Sequence, residues 1–536
     1  MTDSAKSGSA APDRDAWLIG LLALLLFAWR AASLPLFDLD EGAFSEATRE
    51  MLERGDWLMT YLNGEPRYDK PILIYWLQAV CVMLTGQSEL AFRLPSILSA
   101  TAWVVLVHGF VRERAARVAA IFCAACAALS LMVGVIGHAA TADALLNLCI
   151  AGALLDIFRW FEQPRRGMLL RVFVWLALGT LTKGPVAVAI PLAASLLQAL
   201  WQNRFRDWLR AAFDPLGLSI YAVIVLPWAV VLSLRDGGDF MRHFLFDHNV
   251  GRYTQTLQHH GGELWYYLVW LPLILLPFSG LIPAALAQAW HGRRDPLNSF
   301  LLIWFALVFL LFSTSSTQLP HYVLYGCTPL FVMFGLRFER PASAPAALLP
   351  GLLLIAVLAA LPWLLPLVKT PAHRAFEAGI LELARERIGL RYIVISLTGL
   401  AAGLVFALLR RPLWQRLIGV GLAQAAVIWG AFAPLLAAAQ QEPVRQAALL
   451  ARQLDLPAVA FRTDLPSFSV YRQAVTPNRA PLPGELVLVR RDRIDALRGS
   501  LPGVELQTLQ VSGGIALLLH PPAREEPHSP SPQSNE

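Results

Sequence analysis

Apolar residues in this chain gather in long, nearly unbroken blocks rather than alternating or recurring every third or fourth position. A block of about 20 apolar residues is what a helix needs to cross the hydrocarbon of a bilayer. Blocks at residues 17–37, 94–110, 118–137, 142–158, 172–182, 184–200, 220–234, 264–290, 300–313, 322–336, 348–368, 392–409 and 417–438 predict thirteen membrane-spanning helices. The first is too long for a typical cleavable leader and is expected to remain as a span. One further run, 71–86, is only 16 residues long and carries Tyr75, Trp76 and Gln78. It is predicted to lie in the interface as a surface helix with its aromatic rings at headgroup level.

Arginines between the blocks set the direction. They cluster at Arg112/Arg114/Arg117, Arg159/Arg165/Arg166/Arg171, Arg204/Arg206/Arg210, Arg293/Arg294, Arg337/Arg340 and Arg410/Arg411/Arg416. Basic residues close to span ends favour the cytoplasm, so these six clusters share that side. They do so only if 71–86 does not cross. The result is a cytoplasmic tail at 1–15, a membrane domain at 16–439 with an outer loop at 38–93, and a carboxyl terminus outside the cell. After Gln440 the pattern becomes mixed: a helix at 444–453 and strands at 458–462, 485–490, 504–511 and 515–520 predict a small α/β domain over 440–520. The Pro/Ser/Glu-rich stretch 521–536 reads as disordered.

Composition agrees: 56% hydrophobic and 15% charged residues with a mean hydropathy of +0.52 mark an all-α polytopic membrane protein. The net charge of +6 is spread over the short loops rather than gathered in one patch, which is no footprint for nucleic acid. Five cysteines, Cys81, Cys123, Cys126, Cys149 and Cys327, all lie in apolar runs without zinc-type spacing. Neither disulfides nor cysteine chemistry is expected.

Against this background the stretch 38–75 is conspicuously polar. Asp40 and Glu41 stand side by side just outside the first span, where mutual repulsion and desolvation weigh on both. Ala43, Ala47, Met51 and Leu52 then recur at helical spacing beside Glu46, Arg49, Glu50, Glu53 and Arg54, predicting an amphipathic helix on the membrane surface that Gly55 stops. With direction set by arginines alone, the other boundary polar groups fall on one face: Asp40/Glu41, Tyr68-Asp69-Lys70, His138 to Asp143, Lys183, Arg252 with His259-His260, and His321-Tyr322. Ionisable groups at membrane depth are costly and mark functional sites. Taken singly, a snorkelling lysine or a capping aspartate would explain each. Six together call for chemistry: Lys70, Lys183 and Arg252 suit a phosphate, and a carboxylate beside it suits group transfer. No phosphate-binding loop or large soluble nucleotide-sugar domain is present, so the donor is expected to be lipid-linked.

The segments DEGAFSEATREMLERGDWL, LNGEPRYDKPILIYWLQA, AFRLPS, TADALL, LTKGP, QHHGGELWYY and QLPHYVL occur in that order between Asp38 and Tyr325. Together they resemble the dolichyl-phosphate-mannose protein mannosyltransferase superfamily, glycosyltransferase families 39 and 83, most closely its bacterial lipid A aminoarabinose transferase branch. The resemblance implies a C-type glycosyltransferase fold of thirteen spans with periplasmic surface helices, working on a polyprenyl-phosphate sugar at the outer face of the inner membrane. By the same match Asp40 takes the principal catalytic position with Glu41 beside it. Lys70, Lys183, Arg252 and Tyr322 bind the donor phosphate, Tyr68, Asp143 and His321 complete the site, and Asp69, His259 and His260 stand where a divalent ion can sit. No cofactor is otherwise implied. Those transferases carry Arg two residues after the acidic pair, where this chain has Gly42-Ala43, which leaves room for a different sugar or acceptor.

The reading is therefore a membrane transferase moving a sugar from undecaprenyl phosphate to lipid A, another envelope glycan or a protein. The alternative is a transporter or flippase of polyprenyl-linked sugars. A transporter places its polar groups near the bilayer midplane, often in repeated halves; here they gather at one face.

Overall fold

The computed structural model describes residues 14–244, 251, 263–339, 343–371 and 373–522. Helix α1 (Arg14–Ala28) leads through a loop to α2 (Asp40–Arg54), a short hairpin of β1 (Thr60–Leu62) and β2 (Glu65–Arg67), and α3 (Leu73–Thr85). There follow α4 (Glu89–Arg112), α5 (Arg117–Leu129), α6 (Leu131–His138), α7 (Asp143–Glu162), α8 (Arg166–Lys183) and α9 (Val186–Trp201). At 13 residues α3 is about 20 Å long by helical rise, short of the roughly 30 Å of bilayer hydrocarbon, as the sequence led one to expect.

Seven helices are long and apolar enough to cross a membrane, or nine if each of two bent pairs is one span, among the described residues. These nine, together with the shorter or more charged α1, α8, α9 and Thr328–Leu336, correspond one to one with the thirteen apolar runs. Their arginine-bearing ends meet. Glu113 after α4 bonds Arg114 and also Arg159 near the end of α7, Arg114 also reaches Glu162, and Arg117 at the start of α5 pairs with Asp15 at the start of α1. The opposite ends carry His138, Asp143 and Lys183 of the polar groups singled out above.

Several blocks predicted as single helices are broken, and the breaks have identifiable causes. The run 118–137 bends by 62° between α5 and α6. At that break Ser130 Oγ donates to the Cys126 carbonyl, and Leu131 N–H donates at 2.9 Å to the carbonyl of Leu276 rather than to its own helix. The run 264–290 is two helices, Tyr266–Ile274 and a second segment within Phe278–His291, bent by 114° around Pro277. The run 417–438 contains a π-helical turn, Ile428–Phe432, between Leu413–Val427 and Ala433–Gln440. Such turns displace a side chain out of the regular i→i+4 ladder and recur at functional sites.

The polar domain carries a four-stranded sheet of β3 (Ala458–Ala460), β4 (Leu486–Arg490), β5 (Gln507–Ser512) and β6 (Ile515–Leu519), in the order β3-β4-β6-β5. The β3–β4 pair is parallel and the rest antiparallel. Helix Glu442–Leu454 covers it with Val444, Ala447, Ala448 and Ala451, one apolar stripe at helical spacing. A helix at Ala375–Arg387, between two apolar runs, was not expected.

The largest correction concerns α2. Acids open its first turn and Gly55, in the left-handed region at φ 65°, ends it as predicted, but its polar face is not solvated. Residues from Glu41 to Met51 are all buried, including Glu46 and Glu50 at 0% exposure. Arg49 pairs with Glu46 at 2.7 Å and Arg54 with Glu50 at 3.1 Å, so Glu46, Arg49 and Glu50 find partners under a cover, while Glu53 and Arg54 at the helix end stay exposed. That cover includes helix Ser467–Arg472 of the polar domain, which packs on α2.

Candidate active site

The loop between α1 and α2 is held by Glu41. Its Oε1 accepts from Ala140 N–H at 2.7 Å and Arg93 Nε at 2.8 Å; its Oε2 accepts from Phe37 N–H and Arg93 Nη2, both at 2.8 Å. Arg93 also donates to the carbonyls of Ala31, Leu34 and Pro35. The pair is buried, and with four donors on two oxygens the carboxylate is fully occupied. Its geometry is that of an anchor rather than of a group waiting for substrate, which departs from the expectation that Glu41 shares the chemistry.

Asp40 is the opposite case. It opens α2, is exposed, and accepts no hydrogen bond and forms no ion pair among the described residues. It faces a cavity of about 450 Å³ that also exposes Asp143 and His321. Asp143 Oδ1 accepts from Lys183 Nζ at 2.6 Å and from the Tyr325 hydroxyl at 3.1 Å, while Lys183 also donates to the Tyr325 oxygen at 3.0 Å. His321 Nε2 lies 3.6 Å from the same Asp143 oxygen, within electrostatic reach of Asp40 and Lys70. Lys183 Nζ sits 5.4 Å from the Tyr322 ring centroid. Four positions chosen from sequence, Asp143, Lys183, His321 and Tyr322, are thus one cluster, and Asp40 stands at its edge.

Apart from Asp38, Glu41, Arg93, His138 and Thr141, the rest of the cavity is apolar. Leu131, Met132, Val135 and Ile136 of α6 form one wall, Leu354 and Leu358 of helix Ala344–Leu364 another, and Ile428, Trp429 and Phe432 of the π turn a third. The bend at Ser130 and the π turn are therefore what shape it. His138 stacks on Trp429 with ring centroids 3.6 Å apart, its Nδ1 against the Gly134 carbonyl. A mainly apolar chamber whose polar end carries Asp40, Asp143 and His321, with Lys183 bonded to Asp143 just behind, fits an amphiphile with a hydrocarbon tail and a charged head.

The remaining predicted residues sit nearby in other roles. Tyr68 stacks on His243 at 5.1 Å and meets the edge of Phe240. Asp69 is gripped by Arg67 through bonds of 2.9 and 3.1 Å, and Lys70 Nζ donates to the Asp69 carbonyl at 3.0 Å. Arg67 in turn donates to the Ala43 carbonyl at 2.6 Å, tying the hairpin to α2. Arg252, His259 and His260 lie outside the described residues. No cluster of three or more potential metal ligands occurs among the described residues.

Sequence reasoning missed Tyr325, Arg93 and the polar domain's share in the site. Tyr325 had a signal: Pro320–Gly326 is a 3-10 helix, whose three residues per turn put Tyr322 and Tyr325 on one face. Arg93 had none beyond its place in AFRLPS. From the polar domain, Ser467 donates to Asp38 through both its N–H, at 2.9 Å, and its hydroxyl. The Tyr471 hydroxyl accepts from Leu36 N–H at 2.8 Å and donates to Glu89. Burial pushes the Asp38 carboxyl up to about 7, against those bonds from Ser467. Gly42 lies under this contact: a Cβ there would come within 2.1 Å of Asp38 Oδ1 and 2.6 Å of Ser467 N. Glycine at 42 accordingly has a structural reason in this chain, which does not extend to Ala43, the position two residues after the acidic pair.

Comparison with known proteins points the same way. The profile of the family described as dolichyl-phosphate-mannose-protein mannosyltransferase matches residues 69–230. The undecaprenyl phosphate-alpha-4-amino-4-deoxy-L-arabinose arabinosyl transferase of Erwinia tasmaniensis is 32% identical over 306 residues, covering 56% of this chain and 54% of that protein. The Yersinia pestis protein of the same name is 31% identical over 331 residues, covering 60% and 58%. The aligned part of the chain thus spans a little over half the length of the curated relatives it matches. Among solved structures, ArnT from Cupriavidus metallidurans bound to undecaprenyl phosphate superposes with a TM-score of 0.76 at 21% identity, over 95% of this chain and 98% of that one. The oligosaccharyltransferase AglB from Archaeoglobus fulgidus, in complex with an inhibitory peptide and a dolichol-phosphate, gives 0.52 at 10% identity, over 94% and 74%. The fold is that of these multi-pass membrane proteins, as the resemblance implied, and it extends through the polar domain.

Proposed function

We propose that this chain transfers a sugar from an undecaprenyl-phosphate donor to an acceptor at the periplasmic face of a bacterial inner membrane, the acceptor being lipid A, another envelope glycan or a protein. The observation that carries this is the apolar cavity whose polar end joins Asp40 to the Asp143–Lys183–Tyr325–His321 cluster. The polyprenyl tail lies along the apolar walls. Lys183 turns from Asp143 toward the donor phosphate, with Lys70 close by, and their charge stabilises the phosphate as it leaves. The acceptor oxygen attacks the anomeric carbon from the side opposite the phosphate; the carbon–oxygen bond to the donor phosphate breaks, and polyprenyl phosphate departs with the bonding pair. A hydroxyl acceptor gives its proton to Asp40. A phosphate acceptor, already ionised, has none to give, and Asp40 then orients it or steadies positive charge on the sugar.

Glu41 and Arg93 act by holding Asp40 at the cavity mouth. The arginine clusters at the other end of the bundle support the periplasmic facing of the site. A flippase would place such polar groups at mid-membrane, and no feature of the cavity favours that reading. The test is transfer by purified protein from an undecaprenyl-phosphate sugar. Asp40→Asn keeps size and hydrogen bonding but loses the charge, and is expected to slow turnover roughly 10²–10⁴-fold with undecaprenyl phosphate binding retained. Transfer at the unmodified rate would refute the role of Asp40. Mass spectrometry of lipid A and surface glycans from a deletion strain identifies the acceptor.

A further inference from the structure

A second cavity, of about 540 Å³, lies between helix Ala375–Arg387 and the polar domain. Its size is within the roughly 300–1,000 Å³ of small-molecule sites. It differs in kind from the first. Arg462, Arg490 and Arg493 all line it, beside the carboxyls of Asp38, which burial raises to about 7, and of Asp464, which is exposed. Arg490 is paired with Asp492 at 3.0 Å and held with its guanidinium 4.0 Å from the Phe376 ring centroid. Arg462 and Arg493 form no ion pair among the described residues. Two guanidinium forks outside any ion pair, beside a third fixed by a ring, outnumber the two carboxyls of the lining and make a receptor for a phosphate. Asp38 and Leu39 line both cavities, so the residues immediately before Asp40 are the partition between them.

We propose that this second cavity binds the phosphate-bearing sugar head of the acceptor, so that the acceptor approaches Asp40 from the polar-domain side while the donor occupies the membrane side. The assignment rests on the transferase reading above. It gives the polar domain a task that its sheet alone does not suggest: Ser467 and Tyr471 fix the partition, and the arginines anchor what arrives beyond it. A glycolipid with an ionised phosphate on its sugar is the class of acceptor this lining selects. A neutral glycan or an unmodified peptide would leave the guanidinium groups unmatched.

Binding to the full-length protein in nanodiscs separates the two sites. The probes are undecaprenyl phosphate, a deacylated glucosamine disaccharide bearing two phosphates, the same disaccharide without them, and inorganic phosphate. The phosphorylated disaccharide is expected to bind without displacing undecaprenyl phosphate. Removing its phosphates is expected to weaken it at least tenfold. In Arg462→Ala/Arg493→Ala its affinity should fall at least tenfold while that for undecaprenyl phosphate stays within twofold; Arg493→Gln alone should show an intermediate loss. Unchanged disaccharide affinity in the double variant would overturn the proposal, as would mutual displacement of the two probes. Inorganic phosphate binding as tightly as the disaccharide would overturn the acceptor assignment in favour of a free-phosphate site. A protein that binds the disaccharide through these arginines but not undecaprenyl phosphate would support this cavity and refute the donor reading.

Discussion

Replacing Glu41 by Gln tests whether this acid anchors the loop or takes part in the reaction. All four hydrogen bonds to its carboxylate come from donors: Ala140 N–H and Arg93 Nε on one oxygen, Phe37 N–H and Arg93 Nη2 on the other. Whichever way a glutamine amide is turned, its NH₂ faces two donors. Glu41 is 4% exposed and Arg93 2%, so the guanidinium is left buried without its countercharge. Breaking a buried ion pair from one side costs about 3–5 kcal/mol. Asp40→Asn is the matched control: one residue away, exposed and without partners, it should change stability by less than about 0.5 kcal/mol. Unfolding in detergent, followed by denaturant or heat, should show a clear fall in midpoint for Glu41→Gln and none for Asp40→Asn, with turnover more severely affected in the second. In a double-mutant cycle, Glu41→Gln with Arg93→Met should cost less than the sum of the singles, because the second change removes the orphaned charge. Equal midpoints for Glu41→Gln and Asp40→Asn, or strict additivity with Arg93→Met, would refute the anchoring role.

Lys183→Met should weaken undecaprenyl phosphate binding by roughly 1.5–3 kcal/mol, the worth of a charge-assisted contact, and wild-type affinity at equal membrane abundance would remove Lys183 from the site. Asp38 and Glu46 are each pushed by burial from ordinary values of 3.8 and 4.5 up to about 7, in Glu46 despite Arg49. The folded state therefore binds their protons more tightly than the unfolded state does. Stability is greatest below the ordinary values and falls as pH rises through about 7, and unfolding midpoints measured across that window should show part of the fall flattened in Asp38→Asn. A cysteine at Gln87 should react with a membrane-impermeant reagent from outside the cell and one at Glu113 should not; the reverse pattern would invert the topology.

Much of the architecture is written in local pattern. Apolar blocks of membrane length need no tertiary partner to declare themselves, because the bilayer is their solvent, and all thirteen reappear as helices or broken helices. Arginine placement predicted which ends gather, and the ion pairs of Glu113, Arg114 and Arg159 show those ends together. Period-2 and period-3.6 patterning located β3, β4, β5, β6 and the helix over them to within a few residues. The convergence of Asp40, Asp143, Lys183, His321 and Tyr322 was also legible, since an ionisable group at a span end is costly wherever it occurs. Residue pattern does not say which partner satisfies a buried charge. Asp40 and Glu41 are neighbours of the same chemistry and line the same cavity, yet Glu41 is buried under four hydrogen bonds from Phe37, Arg93 and Ala140 while Asp40 is exposed and accepts none among the described residues. Glu46, Glu50 and Arg49 carry the pattern of a solvated helix face, yet lie buried because β1, α3 and a helix some 420 residues later in the chain all pack on α2. The bend at Ser130 depends on a carbonyl from Leu276, and the cavity exists only because that bend and the π turn at Trp429 face one another. Hydrophobic pattern is a property of each segment and its solvent; burial, pairing and cavity shape belong to segments far apart in sequence, and only the folded chain brings these together.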